Sequence, residues 1–199
     1  MMRLLNISLV VAVVAIPVII AKSERLGGKA FNNMNLYTDV IMHLKYYEGF
    51  RDSVYDCASG HPTYGFGIRA DLHDVPDTIT YLTSTKEVQK IFTKHYERVQ
   101  QEYPGFYRNQ YLAFALLSYR IGFNSFKKST VLKKALEGKD PKSTWLKWKY
   151  YTHPITKEKI KNKRMEERCR FEYELYSGNV AYILKDEKKF DYVDFLSKV

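Results

Sequence analysis

Apolar positions fall along this chain in three rhythms, each predicting a different kind of element. Residues 4–21 are uncharged and almost continuously Val, Ile, Leu and Ala, with Arg3 before them and Lys22, Glu24 and Arg25 after. As a helix rising ~1.5 Å per residue, such a run just reaches across the hydrocarbon layer of a bilayer. Residues 22–36, with Gly27, Gly28, Asn32 and Asn33, lose that continuity and read as a linker. From Tyr37 onward Val40, Ile41, Leu44 and Tyr47 recur at helical spacing, predicting an amphipathic helix that ends at Glu48. Residues 53–68 change rhythm again. β-Branched and aromatic residues are punctuated there by Ser59-Gly60 and His61-Pro62, the pattern of a small hairpin-like sheet.

Helical spacing then resumes to near the end. Ser84-x-x-Glu87 has the form of a capping box, followed by Val88, Ile91, Phe92, His95 and Val99 on one face and by Pro104 beyond the end. Residues 109–121 are apolar nearly all round, which predicts a buried central helix. Residues 129–137 stop at Gly138, Asp140-Pro141 opens a segment with Trp145 and Trp148, and a last long helix is expected over residues 156–176, stopping near Gly178. The fold class is α+β: a mostly helical, two-lobed domain with a small sheet forming one wall of a cleft.

Candidate chemistry sits where the first helix meets the sheet. Glu48 is followed after eight residues by Cys57 and after five more by Thr63, in Thr63-Tyr64-Gly65-Phe66-Gly67. An acid on one side of a bond, with a water-handling group on the other, is what glycoside cleavage needs. A carboxyl group at a helix C-terminus faces the negative end of the dipole, which favours the protonated form a general acid uses. Cys57 is a base or nucleophile only as a thiolate, and an unperturbed thiol titrates near ~8.5; otherwise it is a small packing residue. Asp56 is a weak substitute, because adjacent strand side chains point to opposite faces. The Thr63 hydroxyl can hold a water beside Cys57, although β-branching alone explains a Thr in a strand. Gly65 and Gly67 allow a tight backbone turn beneath a substrate.

These residues, with Val54-Tyr55, resemble the phage-type lysozymes of glycoside hydrolase family 24, in which Glu is followed by Asp, or occasionally Cys, and then Thr at the same intervals. Two further blocks extend the likeness over residues 37–178: Ala115 to Asn124 with Phe126, Ser129 and Thr130, similar to the family's central helix and Phe-Asn turn, and Asn162-Lys163-Arg164 with Glu167, similar to its Arg-Arg-x-x-Glu helix. The resemblance implies a lysozyme-like fold and hydrolysis of the β-1,4 bond between N-acetylmuramic acid and N-acetylglucosamine in peptidoglycan. Glu48 would be the acid, Cys57 the base or nucleophile and Thr63 the positioner of water. Tyr55, Gly65, Gly67, Tyr119 and Asn124 would line or support the groove. Arg164 is either the cation that orients Glu48 or part of a solvated basic face with Lys159, Lys161, Lys163 and Arg168. Ile68 departs from the family, which usually has His there. With Cys57 in place of Asp, a catalytically silent peptidoglycan-binding protein of the same fold is the alternative.

Composition narrows this further. The 199 residues are 45% hydrophobic and 15% aromatic, which supports a packed core and excludes a disordered chain. A net charge of +10 suits a polyanionic partner. The glycan-cleaving pattern directs that charge toward cell-wall strands; no nucleic acid is expected, and a monomer is. His43, His73, His95 and His153 lack metal-ligand spacing, so neither metal nor cofactor is implied. Cys57 and Cys169 are expected unpaired. Residues 1–21 are expected as signal peptide or signal-anchor, exporting the rest to the periplasm or beyond, with possible membrane contact through residues 4–21. Residues 22–36 are the linker, 37–178 the lysozyme-like domain and 179–199 a C-terminal extension.

Overall fold

The structure, a computed structural model, describes residues 36–57, 60–152 and 156–179. The leader, nearly all of the linker and most of the C-terminal extension expected from the sequence lie outside them. Helix α1 (Leu36–Glu48) runs into a three-stranded antiparallel sheet ordered β1 (Arg51–Asp56), β2 (Pro62–Gly65) and β3 (Ile68–Arg69). Six α-helices follow: α2 (Tyr81–Glu102), α3 (Arg108–Ile121), α4 (Phe123–Lys127), α5 (Thr130–Leu136), α6 (Lys142–Trp145) and α7 (Lys163–Ser177). A 3₁₀ turn (Leu146–Lys149) and a hairpin of β4 (Tyr150–Thr152) and β5 (Lys159–Lys161) separate α6 from α7. The mostly helical α+β architecture with one small sheet is the one expected.

The all-round apolar helix is the centre. Leu112 through Leu117 of α3 are without solvent exposure, and α2 and α7 pack on its sides. Trp145 stacks on Phe114 with ring centroids 5.9 Å apart and planes 6° from parallel. The Asn109 side-chain amide donates to the carbonyls of Leu175 (2.8 Å) and Tyr176 (3.2 Å), fastening the start of α3 to the end of α7.

Three boundaries differ from the sequence expectation. Helix α2 opens at Thr80, whose hydroxyl accepts from Thr83 N at 3.1 Å while Thr83 returns the bond, so a Thr-Thr pair closes the box. Ser84, the expected cap, is buried one turn inside because it packs under the sheet at Gly65. The last helix begins only at Lys163, capped by the Asn162 side chain accepting from Met165 N at 3.0 Å. Residues 159–161 pair with β4 instead, since Ile160 between two exposed lysines has a strand's alternation and too little apolar surface for a helical face.

Candidate active site

Glu48 ends α1 immediately before Gly49, which adopts φ +73° and turns the chain into the sheet. Its carboxylate is 22% exposed and its two oxygens have different surroundings. Oε1 accepts from Arg168 Nη1 at 2.7 Å. Oε2 lies against Gly67, where an added Cβ would stand 2.7 Å from it. Gly67 also has φ +72°, a backbone conformation that disfavours any side chain. The second glycine of the motif has a different neighbour: a Cβ on Gly65 would meet Ser84 Oγ at 2.5 Å, so Gly65 seats the sheet on α2.

Arg168 is 4% exposed and belongs to a buried charge ring. Glu172, one turn on in α7, accepts from Arg120 Nη2 at 2.7 Å, Arg120 Nε at 3.2 Å and Trp145 Nε1 at 2.9 Å, and its Oε1 is 3.4 Å from Arg168 Nε. Two guanidiniums and two carboxylates therefore alternate from the core to the site, which keeps the buried group neutral in sum. His43, buried and stacked on Phe171 at 3.5 Å between centroids, adds no charge beside them, because burial and then Arg168 and Arg120 hold its imidazole well below its usual range.

The sheet supplies the opposite wall. Tyr55 pairs with Thr63 and Thr63 with Arg69, so these three side chains form one row on one face. Cys57 and His61 continue the pairing, with Cys57 N donating to His61 O at 3.0 Å. Thr63 is 3% exposed and its hydroxyl donates to the same carbonyl at 2.9 Å. Asp56, opposite Pro62, is on the other side of the ribbon as expected. Burial pushes the Tyr55 phenol up and the charge of Glu48 adds to that push, against the opposing charge of Arg51. Tyr119 is raised by burial and then by Glu48; its hydroxyl donates to Phe66 O at 3.4 Å.

Of the residues expected at the site, Gly67 lies against Glu48, Tyr55 and Thr63 pair across the sheet with Cys57 at the end of the same ribbon, and Tyr119 donates to Phe66 beside Gly67. Asn124 is an exposed residue of α4. Arg164 is exposed, donates to the Tyr46 carbonyl and lies over the rings of Tyr46 (5.7 Å) and Tyr47 (5.9 Å). The cation on Glu48 is Arg168, which the sequence named only within one of two alternatives for Arg164, as a member of a solvated basic face. Among the described residues no cluster of three His, Cys, Asp or Glu side chains is arranged to hold a metal, and neither cysteine is in a disulfide.

A family model described as phage lysozyme matches residues 45–167, more than half of the chain, from the last turn of α1 through the sheet to the first turn of α7. The chain belongs to the phage lysozyme family. Solved structures agree at the level of fold. An endolysin from Escherichia coli O157:H7 phage FAHEc1 is 20% identical with a TM-score of 0.57, covering 73% of this chain and 94% of that one. The muramidase domain of SpmX from Asticaccaulis excentricus is 18% identical with a TM-score of 0.59, covering 69% and 93%. A mutant of P22 lysozyme is 25% identical with a TM-score of 0.54, covering 72% and 99%. No curated protein sequence matches the chain.

The third sequence block, Asn162-Lys163-Arg164 with Glu167, lies inside the matched residues 45–167. Arg168 and Glu172 lie just beyond them, and it is Arg168 that reaches Glu48. Ile68, in place of the family's usual His, is buried in the core beside Tyr64.

Proposed function

We propose that this protein is a peptidoglycan muramidase, hydrolysing the β-1,4 bond between N-acetylmuramic acid and N-acetylglucosamine, with Glu48 as acid, Cys57 as base and Thr63 as the positioner of water. The observation that supports it best is the division of the Glu48 carboxyl group. Arg168 holds Oε1 as an acceptor. In the protonated acid the hydrogen therefore sits on Oε2, at the Gly67 face.

Glu48 gives that proton to the glycosidic oxygen as the C1–O bond breaks, and the bonding pair leaves with the oxygen as an alcohol. A water held by Thr63 loses a proton to the Cys57 thiolate and adds to C1, completing hydrolysis. If sulfur attacked C1 itself, the product would retain configuration, whereas a water activated by Cys57 inverts it. The anomer first released distinguishes the two. Tyr55 and Tyr119 supply ring surface in the groove. With a leader over residues 1–21, the domain acts on the wall from outside the cytoplasm; among the described residues no helix is long and apolar enough to cross a membrane.

Zymography on purified peptidoglycan tests the reading: a clearing band is expected from the parent and none from Glu48→Gln. A protein that cosediments with walls yet leaves no clearing would be the silent binder that the Cys57 substitution keeps in view.

A further inference from the structure

A family whose usual residue at position 57 is an Asp has an anion there at neutral pH without help; a thiol needs a cation to match it. The sheet carries one. Arg69 stands across Thr63 from Tyr55, on the face that also presents Cys57 and His61. Arg69 Nη2 is 3.3 Å from His61 Nδ1. Arg69 Nε donates to Asp71 Oδ1 at 2.9 Å, and the two residues form an ion pair. His61 is joined to Cys57 through the Cys57 N to His61 O bond of 3.0 Å, and Gly60 N donates to Cys57 O at 2.8 Å, closing a tight turn around the cysteine.

We propose that Arg69, steadied by His61 and Asp71, is a positioning residue that holds Cys57 as a thiolate, so that sulfur carries the negative charge which Asp carries elsewhere in the family.

The electrostatics agree with the geometry. Asp71 pushes the Arg69 guanidinium above its ordinary range, which keeps it charged throughout the pH range in which a thiol titrates. The charged and titratable groups around Cys57 do not all favour the thiolate. Glu48 from α1 opposes it, as does Asp71 from beyond β3, while Tyr55 is held neutral and Asp56 is on the far side of the ribbon. Arg51 lies over the Tyr55 ring at 5.8 Å. Arg69 is the cation of the neighbouring row on the same face, and its Nη2 reaches His61, the residue across from Cys57.

The catalytic meaning rests on the muramidase reading, but the thiol can be titrated without it. Iodoacetamide labelling of the full chain would be followed against pH, with the modified cysteine located by peptide mass. Cys169 is buried and its thiol is pushed up to about 11, chiefly by burial, so it reacts separately. Arg69→Gln should raise the Cys57 midpoint by about 1 pH unit, and Arg69→Lys should largely restore it. Asp71→Asn should lower the midpoint, because the same guanidinium is then less neutralised. Opposite shifts of that kind are not produced by a general loosening of the sheet.

An unmoved midpoint in Arg69→Gln, or shifts in the same direction in both variants, overturns the proposal. Should Arg69→Gln fail to fold, Arg69→Met takes its place: a raised midpoint supports the proposal and an unchanged or lowered one removes it. The shifts without any wall clearing by the parent sink the muramidase reading instead.

Discussion

At the residue scale the proposed chemistry turns on the two oxygens of Glu48. Glu48→Gln keeps shape and volume but cannot protonate a leaving oxygen, and should cost about 10²–10⁴-fold in clearing rate with folding unchanged. Gly67→Ala acts on the same oxygen from the other side. The new methyl would stand 2.7 Å from Oε2, too close for it to stay where it is, and would also impose a side chain on φ +72°. Activity should fall at least as far as the strain lowers stability, and circular dichroism beside turbidity clearance separates the two. Cys57 gives the sharpest contrast: Asp in its place should keep activity and make it indifferent to mild oxidants, whereas Ser, not ionised near neutrality, should be much poorer. Equal rates in all three proteins would reduce Cys57 to a packing residue.

At the scale of elements, the site is a helix end, a sheet face and the inner side of a late helix, and these were unequally legible in the sequence. The first two were readable because short-range spacing carries them. Glu48, Cys57 and Thr63 stand within sixteen positions, and a helix period gives way to a strand period between them. Arg168 was not readable in that way. Its surroundings, Glu166, Glu167 and Arg170, look like any charged helix surface, and only tertiary packing shows that it is buried between Glu48 and Glu172, the latter held in turn by Arg120 and Trp145. The same packing moved the start of α2 from Ser84 to Thr80 and exchanged a helical start for β5.

Glu172→Gln should therefore be costly despite its distance from the substrate. It leaves two guanidiniums buried with one carboxylate, a loss of about 3–5 kcal/mol in denaturant unfolding. Asn162→Ala removes only the cap of α7 and should cost about 1 kcal/mol, leaving the Glu48 to Arg168 contact in place.

The whole molecule has a pH dependence built into its first helix. Lys45, 3% exposed, places Nζ over the rings of Tyr81 (4.2 Å) and Phe66 (5.0 Å), and burial brings its ammonium down to about 8 from 10.5. Between those pH values the unfolded chain keeps a proton that the folded chain has released, so stability from this group rises with pH across that window. Below about 8 both states hold the proton and the contribution is flat at its lower level. In urea unfolding from pH 7 to 10, the difference between the parent and Lys45→Met should narrow as pH climbs, with Met the more stable at pH 7. A difference independent of pH would mean that the aromatic rings fully offset the burial of the charge.

The ion pair between Glu48 and Arg168 joins positions 120 residues apart in the chain. A ribosome therefore finishes the acid, the sheet and the glycines long before it makes the cation that fixes which oxygen carries the proton. Until α7 has been synthesised and docked on α3, the Glu48 carboxyl group lacks its Arg168 donor. A chain that stops before α7 therefore keeps the acid, the sheet and the glycines but loses the contact that makes the two carboxyl oxygens different.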